Sequence, residues 1–410
     1  MKSFPSWSIY LIALVLLFFA ILGVRALLVE PEIMVDSVVI EKIDSEAIVK
    51  EVLQQVTVSE NRDDKPINRI VESNVDSTKQ GMEWFYRLNF QKARESFDAS
   101  RNSDPVSRFY LALIDSYEDK HEEAKSVLKD IINENTSPEL VLMAKEVLTA
   151  YNTFLLYRDS STDFLYVLLG KAYINTGQVT LAIVKLKQAL ALNNEYADAW
   201  ILLASSFILT GNYDEAEKAL TQVPSDRPEI AYYLALAKKE QGKYEESIIT
   251  FQKALERGFK PIDEVYLQLG DTYLALGKTE TALTYYLDAI QKSPQDLEYY
   301  RKALWMHIQI FKNLDTALGL AQQMLDKNLR SPEAHAYVAW VALEKDDPTL
   351  AKKYIDSGFS LMQESAALYY YRGLYYEKIG KTKNAEVDLK KAMELDIKGI
   401  FKNALSEESN

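Results

Sequence analysis

The chain has no cysteine in 410 residues. That removes disulfides, thiol nucleophiles and cysteine-ligated zinc, and it is neutral about compartment. Histidine is nearly as scarce. His121, His307 and His335 lie far apart, with no acidic neighbour at metal-ligand spacing, so structural roles are expected for all three. With 14 glycines and 11 prolines, the chain has too few turn formers for a protein of many short strands. Basic residues are also in deficit: 47 Lys and Arg face 60 Asp and Glu, a net charge of −13 that repels phosphate backbones and argues against a nucleic-acid partner. No His-Glu-x-x-His, Gly-x-Ser-x-Gly or glycine-rich dinucleotide fingerprint occurs, and the serines have no candidate base, so nothing points to an enzyme or a cofactor.

Two Gly-Lys-Thr triplets, at Gly277 and Gly380, resemble the end of a phosphate-binding loop. Such a loop needs a glycine five residues before the Gly-Lys, so that backbone amides wrap the phosphates. Thr272 and Tyr375 hold those places, and the nearest upstream glycines, Gly270 and Gly373, are seven residues ahead. The loop cannot form. The recurrence itself is the information.

What is abundant is apolar and helix-forming. Hydrophobic residues make up 48% of the chain, enough to bury a core, and Ala, Leu, Lys, Glu and Tyr dominate. From Trp7 to Val24 there is no charge at all, a length that spans a bilayer core as a helix. Val24-Arg25-Ala26 is a poor cleavage site, which favours an uncleaved anchor. Lys2 argues for a cytoplasmic N-terminus and an array outside the cytoplasm, against the pull of Arg25 and Lys42 on the far side.

Beyond the anchor, a pattern recurs about every 34 residues, with units starting at Asp163, Ala197, Pro228, Asp263, Leu297, Pro332 and Ala366. The eighth residue of each is Gly170, Ala204, Ala235, Gly270, Leu304, Ala339 or Gly373. The twentieth is Ala182, Ala216, Ser247, Ala282, Ala317, Ala351 or Ala385. Small residues at these two places let paired helices approach closely, and the fifteenth residue, glycine in most units, turns the chain between them. The fifth unit holds one extra residue, expected in its turn near Phe311-Lys312-Asn313. Gly81, Ala93 and Phe97, then Ala112, Ala124 and Leu128, mark two earlier units from Asn74 onward. Ser137 to Asp159 reads as a single unpaired helix that caps or joins, and Arg158 to Asp163 as a possible hinge.

This period and these positions resemble the tetratricopeptide repeat. The resemblance covers about Asn74 to Lys398. It implies an all-α solenoid, a right-handed superhelix of helix-turn-helix repeats, here with one N-terminal transmembrane helix. The expected organisation is an anchor over 1–29, an acidic juxtamembrane linker over 30–73, two units and the joint helix over 74–162, seven units over 163–400 and a tail over 401–410. The resemblance further implies that first helices line a concave groove through repeat positions 2, 5, 9, 12 and 13. The Lys and Asn clamp by which some members hold chaperone C-termini is absent. Positions 5 and 9 are instead apolar and aromatic, with Tyr232, Arg301, Trp305, Trp340 and Tyr370 as candidate contacts for a protein or peptide partner. Trp305 and Trp340, at one repeat position in adjacent units, are expected side by side on the groove wall, with Arg301 placed to meet an acidic group. The function so implied is a membrane-anchored scaffold in envelope assembly or secretion. The alternative is a self-associating structural protein of the membrane surface, pairing through the amphipathic stretch Ser45 to Val56 or through the array ends.

Overall fold

The computed structural model describes residues 75–135, 137–157, 160–223, 225–362, 364–396 and 400–401. The apolar run, the juxtamembrane linker with Ser45 to Val56, and the tail beyond Phe401 lie outside the described residues. No helix among the described residues is long and apolar enough to cross a membrane.

The described residues form nineteen α-helices, one π-helical turn and no strand. The first pair is α1 (Asp76–Tyr86) and α2 (Phe90–Ser100), the second α3 (Pro105–Tyr117) and α4 (His121–Glu134). A lone helix, α5 (Pro138–Leu156), comes next. Then come α6 (Thr162–Asn175) with α7 (Val179–Leu192), α8 (Ala197–Leu209) with α9 (Tyr213–Thr221), α10 (Pro228–Glu240) with α11 (Tyr244–Glu256), and α12 (Ile262–Ala275) with α13 (Thr279–Lys292). The last pairs are α14 (Leu297–Trp305), extended by the π-turn Met306–Ile310, with α15 (Leu314–Lys327); α16 (Pro332–Glu344) with α17 (Pro348–Phe359); and α18 (Ala366–Lys378) with α19 (Thr382–Leu395).

Local chemistry starts these helices where they start. Asp104, Ser137, Asp296, Ser331, Asp347 and Ser365 each accept a backbone N–H from the first turn they precede. Pro105, Pro138, Pro228, Pro332 and Pro348 open their helices at a position that has no N–H to lose. Between the helices of each pair the chain passes through one left-handed residue: Leu88, Asp119, Gly177, Gly211, Gly242, Gly277, Lys312, Asp346 and Gly380 in order. Glycine takes five of the nine because only it adopts this conformation without steric cost.

Within a pair, the eighth and twentieth residues meet. Ser247 on α11 donates to the carbonyl of Ala235 on α10 at 2.8 Å, a contact possible only where two backbones are close. Where the eighth residue is glycine, the space of its missing Cβ is filled from repeat position 24. A Cβ on Gly81, Gly170, Gly270 or Gly373 would lie 2.5–2.8 Å from Phe97, Leu186, Tyr286 or Leu389.

The extra residue of the fifth unit is not in the turn. Lys312 has the left-handed φ of 52° that its counterparts show, so the Phe311-Lys312-Asn313 turn is the ordinary one. The insertion is absorbed one turn earlier, in the π-helical segment Met306–Ile310, where the Phe311 N–H reaches the Met306 carbonyl at 2.9 Å. Met306 and Ile308 are buried. An added residue inside a helix rotates every later side chain by about 100°, and a single wide turn contains that rotation while keeping both anchors in the core.

Candidate partner-binding face

From α8 to α16 the first helices carry an acidic residue at repeat position 2: Asp198, Glu229, Glu264, Glu298 and Glu333. Each lies in a first helical turn, where the helix dipole favours negative charge, and each is engaged. Arg227 pairs with Asp198 and with Glu229. The Tyr232 hydroxyl donates to Glu264 at 2.9 Å, Arg301 pairs with Glu298, and the Tyr337 hydroxyl donates to Glu333 at 2.7 Å. The result is a hydrogen-bonded row of carboxylates along the N-terminal ends of five successive first helices. Near its end Glu298, Glu333, Glu364 and Asp396 line a cleft of about 440 Å³ walled by Ile400 and Phe401. Counting to the second residue of each unit exposes this row in the sequence; positions 5 and 9 alone do not show it.

The five candidate residues divide sharply. Tyr232 is buried in α10, its ring stacked on Phe259 with centroids 4.2 Å apart. Burial, reinforced by the Glu264 carboxylate, holds its hydroxyl far above the usual tyrosine range. Tyr370 is buried beneath Phe401, with ring centroids 4.7 Å apart. Trp340 is 8% exposed; it stacks on Tyr371 of α18 at 5.6 Å and donates its indole N–H to Glu344 at 3.1 Å. These three rings sit in the layers between units and not on an open wall, because the next first helix, or Phe401 at the end, closes over them.

Arg301 is partly exposed but committed. Two of its nitrogens bond the Glu298 carboxylate one turn away on α14, one of them at 2.9 Å. Burial alone would pull its pKa down, and the Glu298 carboxylate outweighs this and raises it. Trp305 differs from all four. It ends α14 at the mouth of the π-turn, and it is 39% exposed. The residue that would cover it as Tyr371 covers Trp340 is Tyr337. That ring is turned to Trp340 and Tyr371 instead, with centroids 6.4 and 6.2 Å away. The expected pairing of Trp305 and Trp340 on one wall is therefore corrected: Trp340 is a core ring, and Trp305 alone of the five presents its face.

The histidines are held locally. His121 lies against the Tyr151 ring, His307 sits in the π-turn beside Phe311, and His335 Nδ1 is 3.0 Å from the Ser331 carbonyl.

Stacked two-helix units with small residues where the helices cross, and an engaged polar face along their first helices, define a helical-repeat scaffold, a class that acts by surface contact. Models of the tetratricopeptide repeat match residues 173–240, 228–257, 263–306 and 366–396. The chain belongs to the tetratricopeptide repeat superfamily. No curated protein matches its sequence. Among solved structures it is similar to yeast Tom70, at 16% identity over 78% of this chain and 84% of that one, with a TM-score of 0.46. It is also similar to PilW, described as a widely conserved type IV pilus biogenesis factor, at 16% identity over 51% and 97% of the two chains and a TM-score of 0.42. A third is Pseudomonas aeruginosa PilF, at 16% identity over 60% and 97% and a TM-score of 0.37.

Proposed function

We propose that this chain is a membrane-anchored scaffold that holds a protein partner on the first-helix face from α8 to α18, with Trp305 as the principal contact. The observation that carries the reading is the exposure of Trp305 beside a π-turn. A large rigid ring left uncovered among paired polar groups is the residue type in which binding energy concentrates, and π-turns recur at functional sites. The anchor is the uncharged run from Trp7 to Val24, with the array on the extracytoplasmic side. Envelope assembly or secretion suits that arrangement, by analogy of architecture alone.

Two results are expected. A photocrosslinking residue at position 305 of the full chain, in native membranes, should yield a discrete protein adduct. The same probe at Ile249, 54% exposed on the second helix α11, should not. Equal adducts from both positions, or none from 305, would count against the face. Deleting residues 1–28 should release the array from the membrane fraction; an array that still pellets after a carbonate wash would refute the anchor.

A further inference from the structure

The first two units bury a first-helix face that most later units, α16 apart, leave partly open. In α3 the residues at positions 2, 5, 9 and 12, Val106, Phe109, Leu113 and Ser116, are all buried. At the same positions of α12, Glu264, Leu267, Asp271 and Leu274 are only partly so. In α1, Thr78, Met82 and Phe85 are likewise buried.

Thr78 is covered from within, by Ser100, Asp104 and Ser107, whereas α5 and the third unit close over the C-terminal end of the face. The Ser116 hydroxyl meets the hydroxyl of Tyr173 on α6 at 2.5 Å and accepts from that of Tyr151 on α5 at 2.7 Å. Gln178, in the α6–α7 turn, is buried, and its side chain lies near enough to the Tyr86 and Tyr110 hydroxyls to oppose, weakly, the upward pKa shift that burial gives them. Lys185 of α7 donates to the Tyr117 carbonyl at the end of α3, 3.2 Å away. The sequence of α7 agrees: it buries eleven of 14 residues, whereas α13, of equal length, buries four. A helix apolar on every side is one covered on every side.

Lys185 is the one charged residue buried in that helix, and its side chain has no exposed surface. It bonds Asp119 at 2.8 Å across 66 residues and lies 4.1 Å over the Tyr166 ring, while the Tyr166 hydroxyl donates to the other Asp119 oxygen at 2.9 Å. Asp119 is the left-handed residue of the α3–α4 turn, a place glycine fills in five other units, and its side chain is half exposed. The pair is thus lopsided: the cation is sunk in the core and the anion stands at its rim.

We infer that the inner face of the first two units is a socket already filled by the α6–α7 hairpin of the same chain and locked by Asp119 on Lys185, so that an external partner meets only the face from α8 onward. The last clause rests on the partner-binding reading; the filled socket stands on burial alone. Removing one member of a buried pair strands the other, whereas replacing the buried member by an apolar chain of like length is tolerated. The effects should therefore be asymmetric.

The test is amide exchange on the full chain in detergent, comparing Asp119→Gly, Lys185→Met and the double variant. Glycine suits the backbone at 119, so a loss there reports the missing carboxylate, and the double variant separates the stranded lysine from the Tyr166 hydroxyl that loses the same partner. Asp119→Gly should accelerate exchange in α3 and α7 together by at least about tenfold and leave α14 to α19 unchanged. Lys185→Met and the double variant should stay within about threefold of the unaltered chain. Loosening of α7 while α3 keeps its protection, or no effect of Asp119→Gly, would overturn the lock. If Asp119→Gly does not fold, the double variant decides: recovery supports the lock, and failure to recover refutes it. A partner adduct from a probe at Tyr117 of the unaltered chain would show the socket open, whereas absence of any partner leaves the exchange result standing.

Discussion

Trp340→Ala is expected to lower the stability of the array by about 3–5 kcal/mol, the range for truncating a buried tryptophan. The ring is 8% exposed, stacks on Tyr371 and bonds Glu344, so its loss empties a layer between α16 and α18 that the rigid helices cannot fully close. Trp305→Ala, at the same repeat position one unit earlier, should change stability by less than about 1 kcal/mol, since an exposed ring leaves little cavity behind. Denaturant unfolding of the two variants side by side checks the contrast. Arrays of this kind can unfold in parts, so the loss should appear in the transition that includes α16 to α19. Equal, small effects would mean that Trp340 is not a core ring.

Ala282→Trp should destabilise by about 2–4 kcal/mol through overpacking. Ala282 has no exposed surface where α13 meets α12. The one gap nearby, left by the absent Cβ of Gly270, is taken by the ring of Tyr286, whose hydroxyl donates to Asp271 at 2.6 Å. An indole at 282 must therefore displace Tyr286 and break its bond to Asp271, or prise the helices apart. Ala275→Trp, at the exposed end of α12, should stay within about 0.5 kcal/mol. Thermal unfolding reads both, and a neutral Ala282→Trp would remove the close helix crossing from the account.

The repeat was legible because its physics is local and periodic. Small residues at Gly270 and Ala282, caps such as Ser331 and the turn at Gly277 each act within one unit, and the alternation of helices results from them. Three features were not legible, for one reason: each depends on contact between units. Whether a position-9 tryptophan is covered is set by where the position-6 ring of the next unit turns, Tyr371 toward Trp340 but Tyr337 toward Trp340 and Tyr371. The extra residue of the fifth unit could be counted, but its absorption in Met306–Ile310 depends on Met306 and Ile308 finding core contacts. The filled socket left a faint trace in the sequence, Lys185 within the largely apolar run Val179–Leu192, yet Lys187 stands two residues on and the partner Asp119 lies in a different unit.

The central claim is recognition through one exposed ring on an otherwise satisfied face, and affinity measured with Trp305→Ala tests it most directly. With the partner recovered from the position-305 adduct, purified full chain and variant are titrated against it. The account predicts binding weaker by at least about 2 kcal/mol, roughly 30-fold, with unchanged melting. A variant that melts normally and binds the partner as tightly as the unaltered chain would contradict it.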